Sequence, residues 1–188
     1  MQYFVTTEAL ATQKSDCIAV AVFEQGQLSP SAKTLNELSN NAISRVIERG
    51  DIAGKAGQTV LLHDLAGIDT PRVLLVGCGK QENTTENDFN TAVATMTKVL
   101  NESGATSATS CLAEVTINTR TTEWKVRQTM ITAATALYKY TQTKSDVKPQ
   151  PFPLDKIGFS VQNNAQDIEK AAATGLAIAK GMDLAREL

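Results

Sequence analysis

Histidine is almost absent from this chain of 188 residues, His63 being the only one. A single imidazole excludes zinc sites built on several histidines, helical H-E-x-x-H sites and serine triads that need a further His. Cysteine is scarce as well. Three are present, an odd count that argues for reduced thiols rather than a disulfide scaffold. Neither sign of charge predominates, since 18 Lys+Arg against 20 Asp+Glu leave a net charge of -2. That balance excludes a globally basic nucleic-acid binder, although a local basic patch survives it. No apolar run approaches the roughly 18–20 residues of a membrane span. Met1 to Glu8 lacks a basic region followed by an apolar core, so no signal peptide is expected. With 42% hydrophobic and 20% charged residues, the composition is that of a globular domain. The expectation is one cytoplasmic domain with no membrane contact.

What is present alternates between strand and helix. Cys17 to Phe23 is a continuous apolar run ended by Gln25-Gly26, the pattern of a strand buried on both faces. Apolar residues Leu35, Leu38, Ala42, Ile43, Val46 and Ile47 predict one helix from about Ser31 to Arg49, stopped by Gly50. Strands are predicted at Thr59 to His63 and Arg72 to Val76, the second closed by Gly77-Cys78-Gly79-Lys80. Thr85, with Asp88 three residues on, suits the cap of a helix whose stripe is Phe89, Ala92, Val93, Met96, Val99 and Leu100. Ala108 to Leu112 is a strand diluted by Ser and Thr. A further helix is predicted from Thr122 to Tyr140, with Trp124, Met130, Ile131, Ala134, Leu137 and Tyr138 on its inner side. Ser145 to Pro153 holds three of the five prolines and reads as an extended connector. Lys156 to Val161 is the last strand, and an Ala-rich helix runs from Asp167 to Leu188 without a capping Gly or Pro near its end.

This alternation predicts a three-layer α/β/α sandwich with a mixed, mainly parallel sheet. Gln2 to Val5 and Cys17 to Phe23 follow each other with no helix between them, so at least one antiparallel or edge strand is expected.

Few residues carry chemistry. Gly77 to Lys80 lies between a strand and a helix, where phosphate loops sit, but the third glycine of G-x-G-x-x-G is missing. A tight turn explains it better. His63 reads as a structural imidazole beside Asp64, and Cys17, Cys78 and Cys111 as buried, inert thiols. Arg120, Lys125 and Arg127 cluster around Trp124, and Arg45, Arg49 and Lys55 form a second basic group. An aromatic among cations suits a nucleic-acid backbone, and a solvated helix face suits it more often. No carboxylates stand at metal-ligand spacing.

The strings themselves add more. Cys17 to Glu24, Leu28-Ser29-Pro30, Gly54 to His63, Arg72 to Lys80, Trp124 to Gln128 and Gly175 to Leu188 resemble, in order, the opening of the bacterial leucyl aminopeptidases (aminopeptidase A, cytosol aminopeptidase family). The resemblance implies a macro-domain-like N-terminal α/β domain over residues 1–166. A linker helix over residues 167–188 then leads to a C-terminal peptidase domain with two divalent metal ions, manganese or zinc. The family's metal-binding Lys, Asp and Glu, its catalytic Arg and its bicarbonate site would all lie beyond Leu188. No catalytic or metal-binding residue is therefore assigned in this sequence, and Lys80 is not a metal-binding lysine. The resemblance also implies a homo-hexamer acting on the N-termini of peptides. For this domain it implies service in assembly and positioning. The alternatives are DNA binding in recombination or transcriptional control, through Arg45, Arg49, Lys55, Arg120, Lys125 and Arg127, and then nucleotide binding.

Overall fold

A computed structural model describes residues 2–138, 154–161 and 164–187. The predicted Ser145 to Pro153 connector lies outside the described residues. The strands are β1 (Gln2–Thr6), β2 (Cys17–Val22), β3 (Thr59–His63), β4 (Arg72–Gly77), β5 (Ser107–Ser110) and β6 (Lys156–Ser160). The helices are α1 (Pro30–Leu38), α2 (Ala42–Glu48), α3 (Glu86–Glu102), α4 (Thr122–Leu137) and α5 (Ala165–Glu187). One sheet runs in the order β1-β6-β5-β2-β4-β3. Every neighbouring pair is parallel except β3 with β4.

Strand β2 is buried along its whole length and sits inside the sheet. Its alternate side chains feed two cores. Cys17, Ala19 and Ala21 join Leu74 and Val76 beneath Phe89 and Met96 of α3, Val126 and Met130 of α4 and Ile168 of α5. Ile18, Val20 and Val22 join Val73 and Leu75 beneath Leu35 of α1 and Ile43 and Val46 of α2. Helices therefore cover both faces, as the continuous apolar runs require. The small side chains of β2 on the first face leave room for the bulk of Phe89 and Met96. Emptying a site as large as that of Phe89 costs about 3–5 kcal/mol in comparable cores.

Two details depart from the expectations. The helix predicted from Ser31 to Arg49 is broken in two. Asn40 and Asn41 take left-handed φ values of 52° and 60°, which asparagine tolerates better than most residues. The Asn36 amide donates to Asn41 Oδ1 and Ser44 Oγ at 3.0 Å, and its carbonyl oxygen accepts from the Ser44 N–H at 2.9 Å. Local polar side chains thus offer the backbone an alternative to the helix, although the apolar period runs straight through. Leu38, expected inside, is 39% exposed.

The expectation of at least one antiparallel or edge strand is met at both edges. β1 is an edge strand, running parallel to β6, and β3 is an antiparallel strand at the opposite edge. Gly158 of β6 makes the β1 pairing fit, because a Cβ there would come within 2.2 Å of the Phe4 ring. The second departure is the buried side of α4, which is Lys125, Val126, Thr129, Met130, Ala133 and Leu137. Trp124 only packs against its rim.

The Ser and Thr of β5 are accommodated by pairing. Buried Thr109 Oγ1 lies 2.9 Å from Ser15 Oγ and 3.3 Å from Gln13 Oε1. Helix α3 begins as expected, with Thr85 Oγ1 accepting from the Asp88 N–H and Asp88 Oδ2 accepting from the Thr85 N–H.

Candidate functional site

In an α/β sheet, ligands bind at the carboxyl ends of parallel strands, where helix N-termini and loop N–H groups converge. Here that edge comprises the turn after β4 and the starts of α1, α3 and α4. The N–H groups of Gly77, Cys78 and Gly79 are already engaged. Gly77 N–H donates to Gln58 O at 2.7 Å, Cys78 N–H to Val22 O at 3.0 Å and Gly79 N–H to Gly54 O at 2.9 Å. The glycines allow loop to stack on loop. A Cβ at Gly54 would lie 2.1 Å from Phe23 O, and one at Gly77 would lie 2.1 Å from Lys55 O. The turn is a backbone junction, with its three leading N–H groups committed to carbonyls of the same chain.

The helix N-termini are supplied from within the chain. At α1, Ser29 Oγ accepts from Ala32 N–H at 3.3 Å. Both carboxylate oxygens of Glu114 accept from Ser31 N–H, and one accepts from Ser31 Oγ at 2.8 Å. At α4, Thr121 Oγ1 accepts from Trp124 N–H at 3.2 Å. Its hydrogen bond to Glu123 holds that carboxyl below its usual value. The positive ends of α1, α3 and α4 therefore each face a side-chain oxygen of the same chain. Glu114 escaped the sequence reading because its partner is distant in sequence and no periodicity marks it.

The six basic residues singled out in the sequence do not form one surface. Arg45 and Arg49 ride on α2 and Lys55 in the loop before β3, whereas Arg120, Lys125 and Arg127 belong to α4 or its approach. Helices α2 and α4 lie on opposite faces of the sheet. Arg120 pairs with Glu86 at 2.6 Å and lies over the Trp124 ring, 4.9 Å from its centre. Arg49 pairs with Asp51 at 3.0 Å, and Arg45 Nη1 donates to the Asn40 carbonyl. Lys55 is exposed and Arg127 half-buried. Lys125 is withdrawn altogether. It is 6% exposed and donates from Nζ to Val115 O at 2.7 Å. Burial lowers its pKa, and the neighbouring Glu114 and Glu123 carboxylates oppose that shift.

Cys17, Cys78 and Cys111 are buried, and desolvation pushes each thiol up to about 12. Thiols held so far from ionisation are poor nucleophiles and poor ligands. His63 is exposed at the end of β3, in register with Arg72. Among the described residues, no group of three or more His, Cys, Asp or Glu stands together to hold a metal ion. The residues present do not fit a two-metal centre. A shallow cavity of about 440 Å³ is lined by Gly26, Gln27, Leu28, Lys33 and Gln81. Lys33 is its single charged group.

Fold and site together define a macro-like α/β domain. The macro domain of ganglioside induced differentiation associated protein 2 superposes with a TM-score of 0.66 at 9% identity, over 90% of this chain and 81% of that one. A tomato leucine aminopeptidase mutant superposes with a TM-score of 0.76 at 17% identity, over all of this chain and 37% of the other. At such identities the likeness concerns the fold alone. The sequence is more specific: residues 19–147 match the cytosol aminopeptidase family, N-terminal domain. The probable cytosol aminopeptidase of Dechloromonas aromatica is 40% identical over 190 residues, and that of Aeromonas hydrophila is 38% identical. This chain belongs to the cytosol aminopeptidase family and corresponds to its N-terminal domain. It spans 38% of the length of these two curated relatives. The resemblance drawn from the sequence strings holds.

Proposed function

We propose that this chain is the non-catalytic N-terminal domain of a metal-dependent aminopeptidase that removes N-terminal residues, leucine among them, from peptides. The observation that carries the proposal is the family match combined with the absence of a metal-holding group among the described residues. Two divalent metal ions, manganese or zinc, would polarise the scissile carbonyl and activate a water. The region that follows in longer relatives would hold them. Residues 1–166 form the accessory domain in this proposal and residues 167–188 lead onward, although Ile168 and Ala172 already belong to the core. The domain positions the catalytic region and helps assemble a cytoplasmic homo-hexamer. DNA binding and nucleotide binding stand behind this reading, given the divided basic residues and the engaged N–H groups of the Gly77 turn.

The test is direct. Incubated with manganese or zinc and a chromogenic leucine amide, the chain releases no product above the buffer blank. Turnover abolished by a chelator would overthrow the accessory assignment.

A further inference from the structure

Strand β3 borders the sheet, and no described strand lies on its outer side. In an antiparallel pair, residues alternate between bonding the neighbouring strand and turning their N–H and C=O outward. The phase is fixed at both ends of β3. Gly77 N–H donates to Gln58 O at 2.7 Å, and Asp64 N–H donates to Pro71 O at 3.0 Å. Gln58 and Asp64 thus bond inward, as do Val60 opposite Leu75 and Leu62 opposite Val73. Thr59, Leu61 and His63 turn their backbone groups outward. Among the described residues, no turn or loop backbone takes these groups up.

Open edges of this kind are usually guarded by a charge, a proline, a bulge or a covering segment. From Thr59 to His63 there is no Lys, Arg, Asp, Glu, Pro or Gly. Both faces of the strand carry apolar side chains. Leu61 packs on the core beneath α3, and Val60 and Leu62 pack on the core beneath α1 and α2. All three are only half-buried, so each keeps apolar surface for a further neighbour. The opposite border offers less. Gln2 N–H donates to Asp155 O, and Thr6 O accepts from Val161 N–H, which leaves only Tyr3 and Val5 of β1 turned outward.

The outward set of β3 is symmetric about Leu61. Related by a two-fold axis there, a second β3 lies antiparallel, with Leu61 opposite its own copy and Thr59 opposite His63. Each such pair can exchange both N–H···O bonds, because both members face outward. Val60 then stands opposite Leu62 of the second copy at the closer, non-hydrogen-bonded spacing, on the side of α1 and α2. The strand is its own complement. We propose that β3 is a two-fold interface at which two copies of this chain join their sheets, antiparallel and centred on Leu61. This seam is independent of the peptidase reading, and a peptidase assay leaves it untouched.

A seam made by one five-residue strand is small, so the dimer is weak. Sedimentation of the 188-residue protein shows the mass rising from one chain toward two between about 10 µM and about 1 mM. Over the same range the outward amides of Leu61 and His63 exchange more slowly by about threefold or more, and those of Val60 and Leu62 change less. Two double variants fix the register. Thr59→Lys with His63→Lys sets like charges opposite each other across the seam and weakens association by about tenfold. Thr59→Glu with His63→Lys sets opposite charges there and restores association to within about threefold of the unaltered chain at low salt. Melting of dilute samples checks that both variants fold; should either fail, amide exchange in the unaltered chain decides alone. A chain that stays single at the upper concentration overturns the proposal, as does a dimer that both variants weaken alike or leave untouched. A dimer whose Leu61 and His63 amides exchange as fast as in the single chain overturns it too. Protection of those amides only when an extended, uncharged peptide is added, with the chain still single, would assign the edge to a peptide instead.

Discussion

Glu114 closes the N-terminus of α1 by gripping Ser31, accepting from its hydroxyl at 2.8 Å and from its N–H at 3.1 and 3.2 Å. A carboxylate at that position meets the positive end of the helix dipole as well as two donors. Glu114→Ala removes both and leaves the Ser31 N–H to water. The expected loss is about 1–2 kcal/mol of unfolding free energy. Urea unfolding measures it, and Glu114→Gln should recover part of the loss. An unchanged midpoint in Glu114→Ala would mean the contact contributes nothing.

Lys125 sets a pH dependence on the alkaline side. Burial, the largest cause, lowers its native pKa below the 10.5 of the open chain. Above the native value the folded protein has released this proton while the unfolded chain still binds it, so stability rises with pH. The gain starts at the lowered native pKa and is complete above 10.5. Lys125→Met keeps the stem and removes the titration. The stability difference between wild type and Lys125→Met should therefore shift in favour of wild type as pH rises from the lowered native value through 10.5. A difference that stays flat over that range contradicts the buried-ammonium account.

Two glycines of α5 should respond in opposite directions. Gly175→Leu drives a side chain into the Arg127 carbonyl and Met130, and overpacking of this kind costs about 1–3 kcal/mol or more. Gly181→Ala meets open space and gains up to about 1 kcal/mol from helix propensity. Thermal unfolding of the two variants separates them. A stabilised Gly175→Leu would mean that α5 does not lie as close to α4 as its backbone indicates.

Nucleic-acid affinity should be weak. Arg49 and Arg120 are paired with carboxylates, Lys125 is buried, and α2 and α4 lie on opposite faces of the sheet. Few phosphates can be neutralised at once, so any binding should be insensitive to sequence and lost by about 0.15 M salt. Fluorescence anisotropy on a labelled duplex reports this. Tight binding that persists at that salt concentration would restore the DNA reading.

Sequence alone determined the layers. Continuous apolar runs such as Cys17 to Val22 require cover on both faces, because each residue of a strand points to the side opposite its neighbour. The Thr85 and Asp88 cap and the inert cysteines were legible for the same reason: local chemistry decided them. The tertiary structure decided what depends on distant partners. Asn36 reaching Ser44 breaks a helix whose apolar period is continuous, and Val115 O receives an ammonium that helix geometry alone would leave in water. Glu114 finds Ser31 only because β5 returns beside β2. Such contacts are set by strand order, and strand order leaves no trace in the spacing of residues along the chain.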